Sequence, residues 1–309
     1  MKRFFCNILF FVLPAWAVLA VVDYIYSEAA IRSNRYCIES WYDLMNGNIE
    51  SDVIVMGSSR AWVHINPLIL DSILNTNSYN IGFDGSCINR QVRKYYLFRR
   101  YNKKPKLIIQ NIDYASLGYT IGYMREQFFP YFWNRSMRNE FFNSEPFSFE
   151  EKYIPFYRYL RNFNMQQLYD IVANSSRTLT KGYEGKERKW DGSAYNEIRS
   201  IEFVPNYTTM MMFDNFLKET IADSIKVVFV YAPLFYGAIN KISNLDEMYA
   251  AYESIANKYN IPILDYSNMA ICLDKTYFYN ALHLNKRGAE IFTDSLAYDI
   301  KKMNILPER

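Results

Sequence analysis

The sequence is poor in the residues that build metal centres and disulfide scaffolds. Its 309 residues include only two histidines and four cysteines, with no Cys-x-x-Cys pair and no His-Glu-x-x-His segment. The common cysteine- and histidine-based zinc sites are therefore excluded. Cys6 lies in an apolar run, and the remaining three cysteines, Cys37, Cys87 and Cys272, allow at most one intrachain disulfide. We expect no metal and no other cofactor.

A strong excess of charge of one sign is also lacking. The formal net charge is +3, and the lysines and arginines are dispersed along the chain. Charge therefore does not predict a nucleic-acid partner. What the chain does have is hydrophobic residues, 50% of the total. This is enough to fill the core of one large domain, or of one domain with an insertion.

The N-terminus carries one long hydrophobic run. Lys2 and Arg3 precede an apolar run at 4–22, in which Asn7 is the one strongly polar residue, and Asp23 ends the run. A run of this length can cross a bilayer as a helix. The basic residues in front of it predict a cytoplasmic N-terminus, with everything after Asp23 outside the cytoplasm. We predict an uncleaved single-pass anchor, because the run is longer than a usual signal-peptide core. A cleaved signal peptide is the alternative, and it places the domain in the same compartment.

After residue 51, short β-rich apolar runs alternate with longer amphipathic stretches. The apolar runs predict strands at 53–56, 78–81, 107–112, 227–231 and 261–264. The amphipathic stretches predict helices at 67–75, 87–103, 208–223, 243–259 and 286–303. Continuous apolar strands separated by helices are typical of a parallel sheet covered on both faces. In such sheets ligands bind at the carboxyl ends of the strands.

The domain prediction has three segments: an anchor or signal at 1–23, a juxtamembrane helical segment at 24–50, and an α/β domain at 51–309. The alternation breaks at 115–205, which is rich in aromatic residues and too long for a βα loop. We expect an insertion there with its own helices. It serves either as a lid or substrate platform over the strand ends, or as a packing elaboration. Within the insertion, residues 181–192 combine glycines with charged residues, and this pattern predicts an exposed loop.

A serine with the potential of a nucleophile follows the first predicted strand. Gly57 ends that strand, and Ser59 comes at the turn into a helix, where backbone N–H groups favour developing negative charge. His283, near the C-terminus, is the candidate general base. His64 is expected at the surface or against the insertion. Arg60 either orients an anionic substrate or pairs with an acid, and we assign it no catalytic role.

Three segments resemble, in order, the first, second and last blocks of the SGNH/GDSL hydrolase superfamily. They are Gly-Ser-Ser at 57–59, Asn-Ile-Gly-Phe-Asp-Gly-Ser at 80–86 and His-Leu-Asn-x-x-Gly at 283–288. The resemblance covers residues 52 to about 300. It implies a three-layer, flavodoxin-like α/β fold with a central parallel sheet of about five strands. It also implies Ser59 as the nucleophile, with the backbone N–H groups of Ser59 and Gly85 as oxyanion donors.

The chain departs from the family's pattern at two positions. The third block has no clean match, and Asn111 is either a displaced oxyanion donor or a strand-end residue that bonds the backbone. The last block has Asn280 where the family has Asp. Asn280 can orient the imidazole of His283 but supplies no charge to stabilise the imidazolium. The site is then weakly active, works as a Ser/His dyad, borrows a carboxylate such as Asp274, or is inactive.

Together these features predict a membrane-anchored, extracytoplasmic serine esterase or O-acyltransferase that acts on envelope or exported polysaccharide through an acyl-enzyme. Among the anchored members of the superfamily, the chain resembles the D-alanyl-lipoteichoic acid transfer proteins and the alginate O-acetyltransferases. The expected partners are an acylated carbohydrate or other ester, the lipid bilayer and a membrane-bound acyltransferase. One alternative is an inactive protein of this fold that binds glycan or an acyltransferase. Another is an interaction module that uses the aromatic insertion at the membrane surface.

Overall fold

The structure, a computed structural model, describes residues 2–174, 178–192 and 200–306. Its α-helices are α1 Lys2–Ala30, α2 Tyr42–Met45, α3 Ser59–His64, α4 Pro67–Leu74, α5 Ile88–Tyr101, α6 Arg135–Met137, α7 Phe149–Tyr153, α8 Tyr157–Asn162, α9 Met165–Ala173, α10 Tyr207–Ala222, α11 Tyr236–Ile239, α12 Leu245–Tyr259 and α13 Lys286–Lys302. Its strands are β1 Val53–Met56, β2 Ser78–Asn80, β3 Leu107–Ile112, β4 Lys226–Tyr231, β5 Ile263–Asp265, β6 Phe278–Asn280 and β7 His283–Leu284.

Five strands form one parallel sheet in the order β2-β1-β3-β4-β5. All residues of β1 and β3 are buried, as expected for strands covered on both faces, and in β3 they include the polar Gln110 and Asn111. The strand order reverses its direction between β1 and β3, and in flavodoxin-like sheets the ligand site lies at this switch point. The predicted fold class is confirmed, and the sheet brings the end of β1 to the place where a site is expected.

Helices cover the sheet as the sequence predicts. Helix α13 packs against α4, and α5 packs against α10. From α13, Phe292, Leu296 and Ile300 enter the same buried cluster as Val53 and Val55 of β1. These three residues recur at four-residue spacing, so one face of α13 is held on the sheet. The N-terminal end of α13 is thereby fixed beside the β6–β7 hairpin that precedes it.

The chain forms two compact units. The first consists of Met1–Asp43 and Ile121–Thr178, and the second consists of Leu44–Thr120 and Leu179–Arg309 and holds the sheet. The segment predicted at 24–50 is thus shared between the units. Of the predicted insertion, residues 121–178 belong to the first unit, whereas residues 179–192 return to the second.

The first unit joins α1 to the aromatic part of the insertion. Its core includes stacked rings of Phe128 and Phe141, both against Trp41. Asp23 of α1 pairs with Arg158 of α8 at 2.6 Å, and both side chains are fully buried. In the part of the chain that the structure describes, one stretch is long and apolar enough to cross a membrane, Phe10–Ala30, with a mean hydropathy of 1.7.

Candidate active site

Ser59 is presented by a sharp turn between β1 and α3. Gly57 has φ +151°, and a Cβ on it would lie 2.6 Å from the Cβ of Ala61. A side chain is therefore excluded there both by conformation and by space. Ser58 caps α3, because its hydroxyl accepts the Arg60 N–H. Ser59 is the first helical residue, as the predicted strand-turn-helix requires.

The base comes from the opposite end of the second unit's sequence. Strands β6 and β7 form a small antiparallel hairpin in which Asn280 faces His283. The Ser59 Oγ lies 2.8 Å from the His283 Nε2, although 224 residues separate them. This is hydrogen-bond distance for a nucleophile and its general base. The structure therefore brings together the serine and histidine that the sequence nominates.

Hydrogen bonds at Asn280 identify the tautomer of His283. The Leu282 backbone N–H donates to the Asn280 side chain at 3.0 Å, so the accepting atom must be the amide oxygen, Oδ1. The same oxygen lies 3.0 Å from the His283 Nδ1. An oxygen cannot donate, so Nδ1 carries the proton of the neutral ring. The lone pair of Nε2 then faces the Ser59 hydroxyl, as a general base requires.

Charge at the site opposes protonation of the base. Burial, together with the nearby cations Arg60, Lys186 and Arg188, lowers the pKa of His283 to about 3. Asn280 contributes no negative charge to offset them. Asp274, the carboxylate that the sequence offered as a substitute, instead accepts the Thr276 N–H. In this structure the Nδ1 of His283 is bonded to Asn280 and not to Asp274.

The sequence predicts His64 at the surface or against the insertion, and the structure places it elsewhere. It is fully buried, and its Nε2 accepts the Leu284 backbone N–H at 3.0 Å. Its ring centroid lies 5.9 Å from that of His283. Burial lowers the pKa of His64, and Arg60 and His283 lower it further. His64 therefore positions the strand that carries His283, and it does so as a neutral ring.

Asp84 is a functional candidate that the sequence analysis did not assign. Burial raises the pKa of its carboxyl group, although the Gly85 N–H, Lys186 and the Ser59 hydroxyl lie near enough to favour the charged form. The Gly85 N–H is the predicted second oxyanion donor. The Asp84 carboxyl group is therefore close to both the nucleophile and this donor. The only signal in the sequence was its position between Gly82 and Gly85 of the second block.

The predicted oxyanion role of Asn111 is not what the structure gives this side chain. Asn111 is fully buried in β3, and its amide donates to the Val230 carbonyl across the sheet at 3.0 Å. Of the two alternatives, a displaced oxyanion donor or a strand residue that bonds the backbone, the structure gives the second. The polar residue that instead follows β3 and bonds the serine turn is Asp113, which accepts the Ser58 hydroxyl at 2.8 Å. The pair Ser58–Asp113 holds the turn that presents Ser59.

Arg60 fits neither of the roles considered for it. It is 3% exposed, its guanidinium donates to the Ala232 carbonyl, and it lies 5.0 Å from the Tyr231 ring centroid. Two of its nitrogens, Nε and Nη1, have no hydrogen-bond partner among the described residues. Its influence on the site is electrostatic, through the lowered pKa of His283.

Residues 179–192 form a wall of the site and not simply an exposed loop. A Cβ on Gly182 would lie 1.9 Å from the Asn80 carbonyl oxygen, so this segment touches the end of β2. Further along, Lys186 lies on the Trp62 ring, and Arg188 lies on the Tyr279 ring. Tyr279 in turn stacks on His283, with centroids 5.3 Å apart. Residues 187–189 are exposed, as predicted, whereas 182 and 183 are buried.

Comparison with known proteins gives distant likenesses. No family model matches the sequence, and no curated protein matches it significantly. Similar solved structures include a candidate lipolytic protein of the G-D-S-L family from Desulfitobacterium hafniense, with 10% identity, a TM-score of 0.42, and coverage of 81% of this chain and 99% of that one. A candidate acylhydrolase from Bacteroides fragilis has 13% identity and a TM-score of 0.41, over 87% of this chain and 95% of that one. Because these identities and TM-scores are low, the roles of the site residues are argued from the geometry of the site alone.

Proposed function

We propose that the protein is a membrane-anchored serine esterase or O-acyltransferase of SGNH type. The observation that carries the proposal is the chain of contacts from the Ser59 Oγ to the His283 Nε2, 2.8 Å, and from the His283 Nδ1 to the Asn280 Oδ1, 3.0 Å. A nucleophile, a base in the correct tautomer and a group that orients the base are the parts that acyl transfer requires.

The residues support a two-step reaction. The Ser59 oxygen attacks the ester carbonyl carbon while its proton passes to the His283 Nε2. The carbonyl oxygen becomes an oxyanion, toward which the N–H groups of Ser59 and Gly85 are the candidate donors. The ester C–O bond then breaks, and the leaving alcohol takes the proton from His283. Water or a sugar hydroxyl then attacks the acyl-enzyme and loses its proton to His283. The bond between the acyl carbon and the Ser59 oxygen breaks, and the proton returns from His283 to Ser59.

The uncleaved anchor is supported by the burial of Asp23. Cleavage after residue 17 would remove Trp16, whose indole donates to the Tyr153 carbonyl at 3.0 Å. Cleavage after residue 30 would also remove Asp23. Arg158 would then remain buried without its partner, which costs several kcal/mol. We therefore propose that α1 stays attached and holds the catalytic unit outside the cytoplasm, with the basic N-terminus inside. Acyl groups on envelope or exported polysaccharide are the proposed substrates, with a membrane-bound acyltransferase as partner.

A fluorophosphonate probe tests the nucleophile. The purified full-length chain in detergent is expected to become labelled, and Ser59→Ala is expected to abolish the labelling. Ser72→Ala is the matched control, because it removes an exposed hydroxyl of α4 and leaves the turn that presents Ser59 intact. Equal labelling of the parent and Ser59→Ala refutes the assignment.

A second candidate function is glycan or partner binding by a catalytically silent site. It is favoured by Asn280, which supplies no charge, together with the lowered pKa of His283. Fluorophosphonate labelling and ester hydrolysis distinguish the two candidate functions. A silent site leaves the parent unlabelled by fluorophosphonate and without hydrolysis across a panel of acetyl esters, whereas Asn280→Asp restores one or both.

A further inference from the structure

The first unit exposes apolar side chains beside α1. On and just after α7, Phe149 is 70% exposed, Tyr153 is 55% exposed and Ile154 is 40% exposed. We call these three residues the α7 surface. The rings of Phe149 and Tyr153 lie against each other, with centroids 4.7 Å apart. Even with this contact, both rings remain more than half exposed.

Contacts along α1 show the level at which the α7 surface lies. Asp23 bonds Arg158, and Tyr26 bonds the Leu168 carbonyl of α9. Closer to the N-terminus, the Trp16 indole donates to the Tyr153 carbonyl at 3.0 Å. Seven residues of helix separate positions 16 and 23, a rise of about 10 Å. The α7 surface therefore extends about that far beyond Asp23, toward the N-terminus of α1.

The length of the apolar run places this level inside a bilayer. The run covers residues 4–22, between the basic pair at 2–3 and Asp23. Nineteen residues of helix rise about 28 Å, close to the roughly 30 Å of a hydrocarbon core. Residues 4–15 alone rise only about 18 Å. The hydrocarbon must therefore reach past Trp16 to the region of Val22, and the described side chains of positions 10–19 are all exposed, as lipid contact requires.

We propose that the α7 surface is immersed in the outer leaflet of the bilayer, beside the membrane-spanning part of α1. This inference rests on the membrane anchoring proposed above. Aromatic side chains with polar edges favour the boundary between hydrocarbon and headgroups. The exposed Glu150, between Phe149 and Tyr153, sets that depth, because its carboxylate must reach the headgroups. The first unit is then a membrane-bound platform, and the anchor is more than a flexible tether.

Depth-dependent quenching tests the proposal. A small fluorescent amino acid is introduced at position 149 of the full-length chain, which is reconstituted in phospholipid nanodiscs with or without brominated acyl chains. Two further positions provide controls. Position 10 lies within the apolar run, and position 173 is exposed at the far end of α9, where the Asn174 carbonyl accepts the Asn34 N–H. Thermal unfolding of each labelled chain verifies that the fold is kept.

We expect brominated lipid to quench the labels at positions 10 and 149 and to leave position 173 unchanged. Quenching at 10 with none at 149 overturns the proposal, since the bilayer would then thin or end before α7, while anchoring by α1 would stand. Absence of quenching at both 10 and 149 overturns the anchor itself, and the immersion with it. Quenching at all three positions also overturns the proposal, because contact would not be specific to the α7 surface.

Discussion

Replacement of Asn280 by Asp is the sharpest perturbation that the site offers. The side chain keeps its size, and an Asp carboxylate can still accept both the Leu282 N–H and the His283 Nδ1–H, each at 3.0 Å in the parent. Only the charge changes. The parent imidazole has a pKa lowered to about 3 by burial and by nearby cations, so its protonated form is strongly disfavoured during attack by Ser59.

The size of the effect follows from the contact distance. A carboxylate in hydrogen-bond contact raises the pKa of its partner by about 1–3 units, which corresponds to roughly 1.4–4 kcal/mol in favour of the imidazolium. If half of that appears in the transition state, the rate rises about 3- to 30-fold. The acidic limb of the pH–rate profile is expected to move upward by the same 1–3 pH units.

The assay is the second-order rate of fluorophosphonate labelling between pH 3 and 8, with hydrolysis of a p-nitrophenyl ester measured in parallel. Asn280→Ala is the control, because it removes the orienting oxygen without adding charge, and it is expected to slow labelling over the whole range. An Asn280→Asp variant that is fully folded, yet shows neither a faster rate nor a displaced acidic limb, would refute the coupling of Asn280 through His283.

Three further outcomes are expected. Asp84→Asn removes a negative charge from the place where an oxyanion forms, so labelling near neutral pH is expected to accelerate by about tenfold, or 1.4 kcal/mol. The parent's rate is also expected to fall as pH rises through the raised pKa of Asp84, and an identical profile in the variant contradicts this role. Burial lowers the pKa of both histidines, so the unfolded chain binds more protons below about pH 6.5. The free energy of unfolding is therefore expected to fall as pH drops from about 6.5 toward 3, and urea titrations of His283→Asn are expected to show a smaller pH slope than the parent. Asp23→Asn leaves a buried cation unpaired and is expected to cost about 3–5 kcal/mol in thermal unfolding, whereas the double variant with Arg158→Met is expected to recover much of that loss. Equal losses in the single and double variants would contradict the pairing.

The predictable part of the fold is the part encoded by local pattern. Strands β1 and β3 match their predicted limits, and the five predicted helices lie within two residues of α4, α5, α10, α12 and α13. Their signal is an apolar run or a helical period, which each segment carries in its own sequence. The Ser59–His283 pair was also accessible from sequence, because only two histidines were available and the order of blocks selected one.

The remainder depended on contacts that no local pattern encodes. The bond from Leu284 to His64 joins residues 220 positions apart, and the Asp23–Arg158 pair spans 135. An isolated histidine or arginine is usually exposed in a soluble chain, and only the partner reveals that it is buried. The tautomer of His283 is a further case, since it follows from a backbone N–H in the hairpin loop and not from residue identity.

The site separates two tasks that one carboxylate usually performs together. Asn280 orients His283 through an oxygen whose identity is fixed by Leu282, so geometry is complete without charge. Stabilisation of the imidazolium is missing, and the cations Arg60, Lys186 and Arg188 act against it. Geometry determines whether Ser59 can attack, whereas charge determines how fast. A labelled but slow parent, accelerated by Asn280→Asp, is therefore the result that the contacts at this site require, and a parent already as fast as that variant would show that another group stabilises the protonated base.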